Sequence, residues 1–196
     1  HENRHWKTRT SARLVVPTFS SQAERSEVFM ERFVMTVAIL FAREDSIYKT
    51  LPGCDVYDQQ RDARTFAGGM PVVAHPPCRA WGRLRQFAKP RADEKDLARW
   101  AVGQVRRWGG VLEHPEASTL WMDAGLPLFG TIDQHGGYTL IVEQFWWGHK
   151  ARKRTWLYVC GIARERVPAM PLVFGEPTHT ISSSLSRRRK PGKQYK

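Results

Sequence analysis

The stretch that decides the fold is DEKDLARWAVGQVRRWGGVL, residues 93–112. Leu97, Ala101, Val102, Val105 and Trp108 recur at helical spacing, which lines them along one face of a helix over 93–108. Gly109-Gly110 stops that helix, and the apolar run 110–112 reads as a buried strand. A second apolar run, 71–74, precedes the helix. Strand, helix, strand is the unit whose two strands lie parallel in one sheet. Outward from it, runs 37–42 and 155–160 read as further buried strands, Cys54–Tyr57 as a weaker one and Tyr138–Glu143 as an amphipathic one. A short second helix is expected over 117–123. The pattern predicts a single α/β domain, Rossmann-like, with a mostly parallel sheet and flanking helices.

The 196 residues suit one such domain, and a 41% hydrophobic composition with 8 Trp and 9 Phe supplies its core, which excludes wholesale disorder. No run of about 18 apolar residues occurs, so a membrane-spanning helix is not expected. Three cysteines without a C-x-x-C pair argue against a disulfide framework and a zinc ribbon; no metal is expected, and a reducing, cytoplasmic compartment is the simplest setting. Basic residues outnumber acidic ones by 31 to 19, giving +12, and this excess points to a polyanion, with DNA the expected partner. Half of the excess, +6, lies in 181–196, where Arg187 and Arg188 open a basic tail that reads either as a solvated end or as a phosphate-gripping arm. Residues 35–180 carry only +4. Met35 directly precedes the first strong strand, so the functional domain is expected over 35–180, with 1–34 an extension to which no role is assigned.

Ligands in open α/β sheets bind beyond the carboxyl ends of the strands. At those positions the sequence places Phe41-Ala42 with Arg43 to Ser46, then Asp58, then His75-Pro76-Pro77-Cys78, then Glu113-His114-Pro115. The paired prolines stiffen the exit from the strand and fix where Cys78 points. Arg79, Arg83 and Arg85 would favour its thiolate, making it a candidate nucleophile; a buried structural cysteine is the alternative. Glu113, held by a nearby proline, is placed to meet a ring nitrogen, and burial against Leu112 and Trp121 would raise its pKa enough for it to donate a proton. His114 reads as structural. Lys150, Arg152 and Arg154 would share one face of an extended segment and could hold phosphates or a carbonyl oxygen, or simply form a solvated basic edge.

Together these three segments resemble the cytosine-C5 DNA methyltransferase family. Pro76-Pro77-Cys78 resembles its Pro-Cys motif, Glu113-His114-Pro115 its Glu-Asn-Val motif, and Lys150-x-Arg152-x-Arg154 its Gln-x-Arg-x-Arg motif. They occur in the family's order, 35 and 39 residues apart. The resemblance covers roughly residues 36–161. It implies that the Cys78 thiolate adds to pyrimidine C6 and that Glu113 serves N3. Arg152 and Arg154 would steady the base or a phosphate, Arg79, Arg83, Arg85 and Lys150 would help to bind DNA, and a duplex base would be flipped out. S-adenosylmethionine would be the cofactor, near Phe41, Ala42, Asp58, Asp62 and Pro76. Two departures stand out. Both glycines of the family's Phe-x-Gly-x-Gly loop are replaced in Phe41 to Ser46, and too few residues follow Gly161 for its target-recognition domain. A pyrimidine-modifying enzyme acting on free nucleotides or with another donor, and a catalytically silent nucleic-acid-binding module, are the competing readings.

Overall fold

The computed structural model describes residues 35–179; the expected extension over 1–34 and the basic tail with Arg187 and Arg188 lie outside them. Six strands form one sheet: β1 (Val37–Leu40), β2 (Cys54–Tyr57), β3 (Val72–Ala74), β4 (Gly110–Pro115), β5 (Tyr138–Glu143) and β6 (Arg154–Cys160). Their order is β2-β1-β3-β4-β6-β5. β2, β1, β3 and β4 pair in parallel, whereas β6 runs antiparallel to both of its neighbours, β4 and β5. The sheet is therefore mixed and mostly parallel. Consequently the carboxyl ends of the parallel strands share one rim with the start of β6.

Helix α1 (Glu94–Trp108) makes the β3–β4 crossover, as its spacing predicts. Its buried residues Ala98, Ala101, Val102 and Val105 join a core with Val72, Ala74, Leu112 and Tyr158, and Leu97 is buried as well. Burying each of its larger side chains contributes about 1.5–3 kcal/mol, which is what holds the helix on the sheet. Gly109 caps it at φ 76°. Gly110 then passes so close to β3 that an added Cβ would stand 1.9 Å from the Val72 carbonyl oxygen, so only glycine fits at this pairing. The opposite face of the sheet carries a smaller cluster of Tyr138, Leu140, Val142 and Val159.

Flanking helices are scarcer than the alternating pattern suggests. Among the described residues the β1–β2 and β2–β3 connections contain only short 3₁₀ turns, Ile47–Thr50 and Ala63–Thr65. These segments are mostly polar and broken by Pro52, Gly53, Gly68 and Gly69, and they bury only isolated apolar side chains such as Ala63 and Phe66 rather than a helical stripe. The expected helix over 117–123 shrinks to α2 (Leu120–Asp123), because Ala117 adopts a left-handed φ of 60° that no helix interior accepts. By contrast β4 is longer than its apolar run. Antiparallel pairing with β6 carries it through Glu113, His114 and Pro115, which stand opposite Leu157, Trp156 and Thr155.

Candidate functional site

The rim is built first by β3. Its register continues one residue past Ala74, where the His75 N–H donates to the Leu40 carbonyl (3.0 Å), and Pro76-Pro77 then carry the chain outward. Cys78 follows at a tight turn, its carbonyl accepting from the N–H groups of Trp81 (3.0 Å) and Gly82 (2.8 Å). The turn leaves Cys78 half-buried, on the wall of a cleft of about 880 Å³. Gly82 to Arg85, Phe87 and Ala88 form the same side, and Glu143, Arg152, Lys153, Arg154, Pro115 and Glu116 complete the lining. Leu84 and Phe87 are exposed and alternate along the chain with the cations Arg83 and Arg85. This interleaving suits a nucleic-acid strand, with apolar faces for bases and guanidinium groups for phosphates.

Arg79, expected beside the thiol, is spent elsewhere. Its guanidinium grips Glu94 through Nε (2.7 and 2.8 Å) and Nη2 (2.6 Å), and Glu94 is fully buried in the first turn of α1. The Arg79 hydrogen bonds hold the Glu94 carboxyl below its ordinary value. Arg79 thus anchors the Cys78 turn to the helix. The thiol responds accordingly: burial pushes its pKa up and Glu113 pushes it further, against the opposing pull of Lys153 and of a backbone hydrogen bond at Cys78 itself. This corrects the expectation of a thiolate favoured by the flanking arginines.

Glu113 also differs from expectation. Side chains alternate across a strand, so Leu112 faces the opposite side of the sheet, and Trp121 lies against His114, with ring centres 6.5 Å apart. Glu113 instead meets His75 Nδ1 at 3.5 Å, Lys153 Nζ at 3.8 Å and the Gln144 amide, which donates at 3.2 Å. Burial acts to raise its pKa, but the His75 hydrogen bond and the charges of Lys153, His75 and His114 outweigh that effect and lower it. Glu113 at rest is a carboxylate rather than a proton donor. His114 is buried, its Nδ1 2.7 Å from Ser118 Oγ, and burial pushes its pKa down to about 4, which suits a structural part.

The 150–154 segment is not uniformly extended. A 3₁₀ turn (Gln144–Trp147), left-handed Gly148 and an isolated bridge from Ala151 to His179 precede β6. Lys150 does not share the cleft lining, whereas Arg152, Lys153 and Arg154 all do. Arg154 pairs with Glu116 at 3.1 Å, and Arg152 meets the Gly175 carbonyl at 3.2 Å and Glu176 at 3.8 Å. Lys153, which period-two reasoning turns away from the arginines, is the cation that reaches Glu113.

Two smaller cavities flank the end of β1. One, of about 560 Å³, is lined by Phe41, Ala42, Asp58, Asp62, Pro77 and Leu97 among others, so four of the five expected cofactor residues share a wall. Pro76 does not line it; Pro77 does. The other, of about 470 Å³, joins Phe41 and Ala42 to Tyr48, His75 and Glu113. Phe41 has a left-handed φ of 63°, so a conformation that usually selects glycine is held here by a phenylalanine, whose ring packs edge-on to Trp100 at 6.1 Å. Asp58 accepts from the N–H groups of Gln60 and Arg61 (both 2.9 Å) and pairs with Lys49 at 2.5 Å. The Arg61 N–H and Lys49 bring its pKa down to about 2. Asp62 caps its turn through the Arg64 N–H (2.9 Å) and grips the Arg64 side chain (2.6 Å).

Sequence reasoning missed Tyr48, His75, Gln144 and Lys153 as site residues. Tyr48 stacks on His75 with ring centres 5.9 Å apart, a contact across 27 positions that no local pattern announces. For His75 the signal was present, since it directly follows a buried strand and precedes two prolines. No helix among the described residues is long and apolar enough to cross a membrane, and among them no group of three or more His, Cys, Asp or Glu could hold a metal ion. Comparison with protein-family models, curated proteins and solved structures returns no match.

Proposed function

We propose that the chain is a compact, Rossmann-like DNA (cytosine-5)-methyltransferase-like enzyme. The observation that carries this reading is that Cys78, just past β3, and Glu113, in the adjacent strand β4, lie on one rim of the sheet, with Arg152 and Arg154 lining the same cleft as Cys78. The cleft's alternation of Arg83, Leu84, Arg85 and Phe87 supports a nucleic-acid strand as substrate. The cavity beside Phe41 lies where β2 and β3 leave on opposite sides of β1, the switch point at which such sheets take ligands. Its apolar Phe41, Ala42 and Leu97 and its carboxylates Asp58 and Asp62 fit a nucleoside, and the left-handed Phe41 supplies the turn that glycine would otherwise make. S-adenosylmethionine, bound there, supplies a methyl group to pyrimidine C5.

In this reading Cys78 attacks C6 and forms a carbon–sulfur bond. The thiol starts protonated and Glu113 ionised, so the proton leaving sulfur is taken by the carboxylate and delivered to N3 as negative charge builds on the ring. Arg152 and Arg154 hold the base carbonyl or a neighbouring phosphate. Loss of the C5 proton after methylation expels Cys78 and restores the ring double bond. A duplex base must leave its stack for C6 to reach the thiol.

The test is trapping on an oligonucleotide carrying 5-fluorocytosine, where elimination is blocked. A covalent adduct at Cys78 that depends on S-adenosylmethionine supports the proposal. An adduct with the free fluorinated nucleotide but not with DNA selects a nucleotide-modifying enzyme. The protonated thiol favours a second reading, a catalytically silent nucleic-acid-binding module, which predicts no adduct and unchanged DNA binding by Cys78→Ser.

A further inference from the structure

We infer that Lys153, rather than any of the arginines around the cleft, is the positioning residue that couples the Cys78 sulfur to the Glu113 carboxylate. This inference rests on the proposed roles of those two groups. Lys153 lines the cleft with Cys78, and its Nζ stands 3.8 Å from Glu113 Oε1, so one cation faces both members of the pair. Its backbone is fixed on both sides. The Lys153 N–H donates to Glu143 Oε1 (2.5 Å), and its carbonyl accepts from the Gln144 N–H (3.1 Å). Among the other cations of the cleft, Arg79 is committed to Glu94, Arg154 to Glu116, and Arg152 to Gly175 and Glu176, while Arg85 turns to the Gly82 carbonyl and neither it nor Arg83 is among the charges acting on Cys78.

Every charge around the pair then has a definite sense. Cys78 feels Glu113 from β4 and Glu94 from α1, both of which favour the neutral thiol, against Lys153 from the start of β6. Glu113 meets Lys153, His75 from the end of β3 and Gln144 beyond β5, interacts with Tyr48 from the 3₁₀ turn after β1, and feels His114 only from the other face of its own strand. As the thiol loses its proton a second negative charge appears beside Glu113. Lys153 is placed to offset that charge and so keep the carboxylate and the nascent thiolate together.

The experiment is the pH dependence of iodoacetamide alkylation, assigned to Cys78 by peptide mass spectrometry so that Cys54 and Cys160 do not interfere. In Lys153→Met the alkylation midpoint rises by about one pH unit, which slows the reaction about tenfold below the midpoint. Lys153→Arg restores the wild-type midpoint, a rescue that a purely space-filling lysine would not require. Lys153→Gln is the second variant should the methionine form not fold. An unchanged midpoint in a folded Lys153→Met or Lys153→Gln overturns the inference. Because alkylation needs neither DNA nor cofactor, failure of the trapping experiment leaves this result readable.

Discussion

The two sides of the rim differ in how their charges are neutralised. Around β1 and β2 the acids are closed by partners a few residues away: Asp45 by Arg43, Asp55 by Arg61, Asp62 by Arg64, and Asp58 by its own turn and Lys49. Around β3, β4 and β6 the pairs span the chain, Arg79 with Glu94, His75 with Glu113, Lys153 with Glu113 and Arg106 with Asp133. Local pairs set the shape of a loop, whereas distant pairs fix strands and helices against one another. The side around β3, β4 and β6 is therefore tied to the tertiary fold, and the side around β1 and β2 is shaped by its own loops.

The largest expected effect falls on the distant-pair side. Cys78→Ala abolishes the covalent adduct with 5-fluorocytosine DNA, read as the missing mass of the crosslinked species. Glu113→Gln keeps a similar shape but removes the proton acceptor, and adduct formation slows about a hundredfold. On the local side Asp58→Asn weakens S-adenosylmethionine binding by about tenfold in titration calorimetry, with adduct chemistry at saturating cofactor unchanged. Equal losses in both assays would erase the division between the two regions.

Stability discriminates next. Arg79→Met leaves the buried Glu94 carboxylate without its guanidinium and lowers the melting midpoint by about 5 °C, whereas Arg64→Met, opposite exposed Asp62, leaves it nearly unchanged. The smallest effect is a pH slope. Glu94 has a lowered folded pKa, so its contribution is complete above the ordinary glutamate value of 4.5 and drains as pH falls through the folded value. Glu94→Gln therefore flattens acid unfolding below about pH 4.5. Asp58, lowered from 3.8 to about 2, loses its contribution between those values, so Asp58→Asn alters the curve below about pH 3.8.

The same division explains what the sequence could tell. Apolar runs located all six strands, and helical spacing located α1, because burial writes itself into period and composition. Cys78 and Glu113 were legible because each follows a buried run. What escaped were facts of pairing. Nothing local says that β6 inserts in reverse between β4 and β5, or that this pairing draws Glu113 inside a strand. Lys153 escaped because alternation was extended backwards from β6 into a turn, where left-handed Gly148 breaks the phase. The raised thiol and lowered carboxylate escaped for a related reason: Arg79 answers to Glu94, 15 positions away, not to its neighbour, and Glu113 answers to His75 and Lys153, which are distant from it in the chain.

The reversed β6 also separates two jobs that a wholly parallel sheet would join. Its pairing with β4 and β5 is set along the strands, while the hairpin connection that delivers it lends the cleft its two arms, Glu143 on one side and Arg152 to Arg154 on the other. Residues added to or removed from that hairpin change one wall of the binding cleft and leave every strand register intact. The molecule thus carries a replaceable wall at this cleft, one that can be reshaped without refolding the sheet.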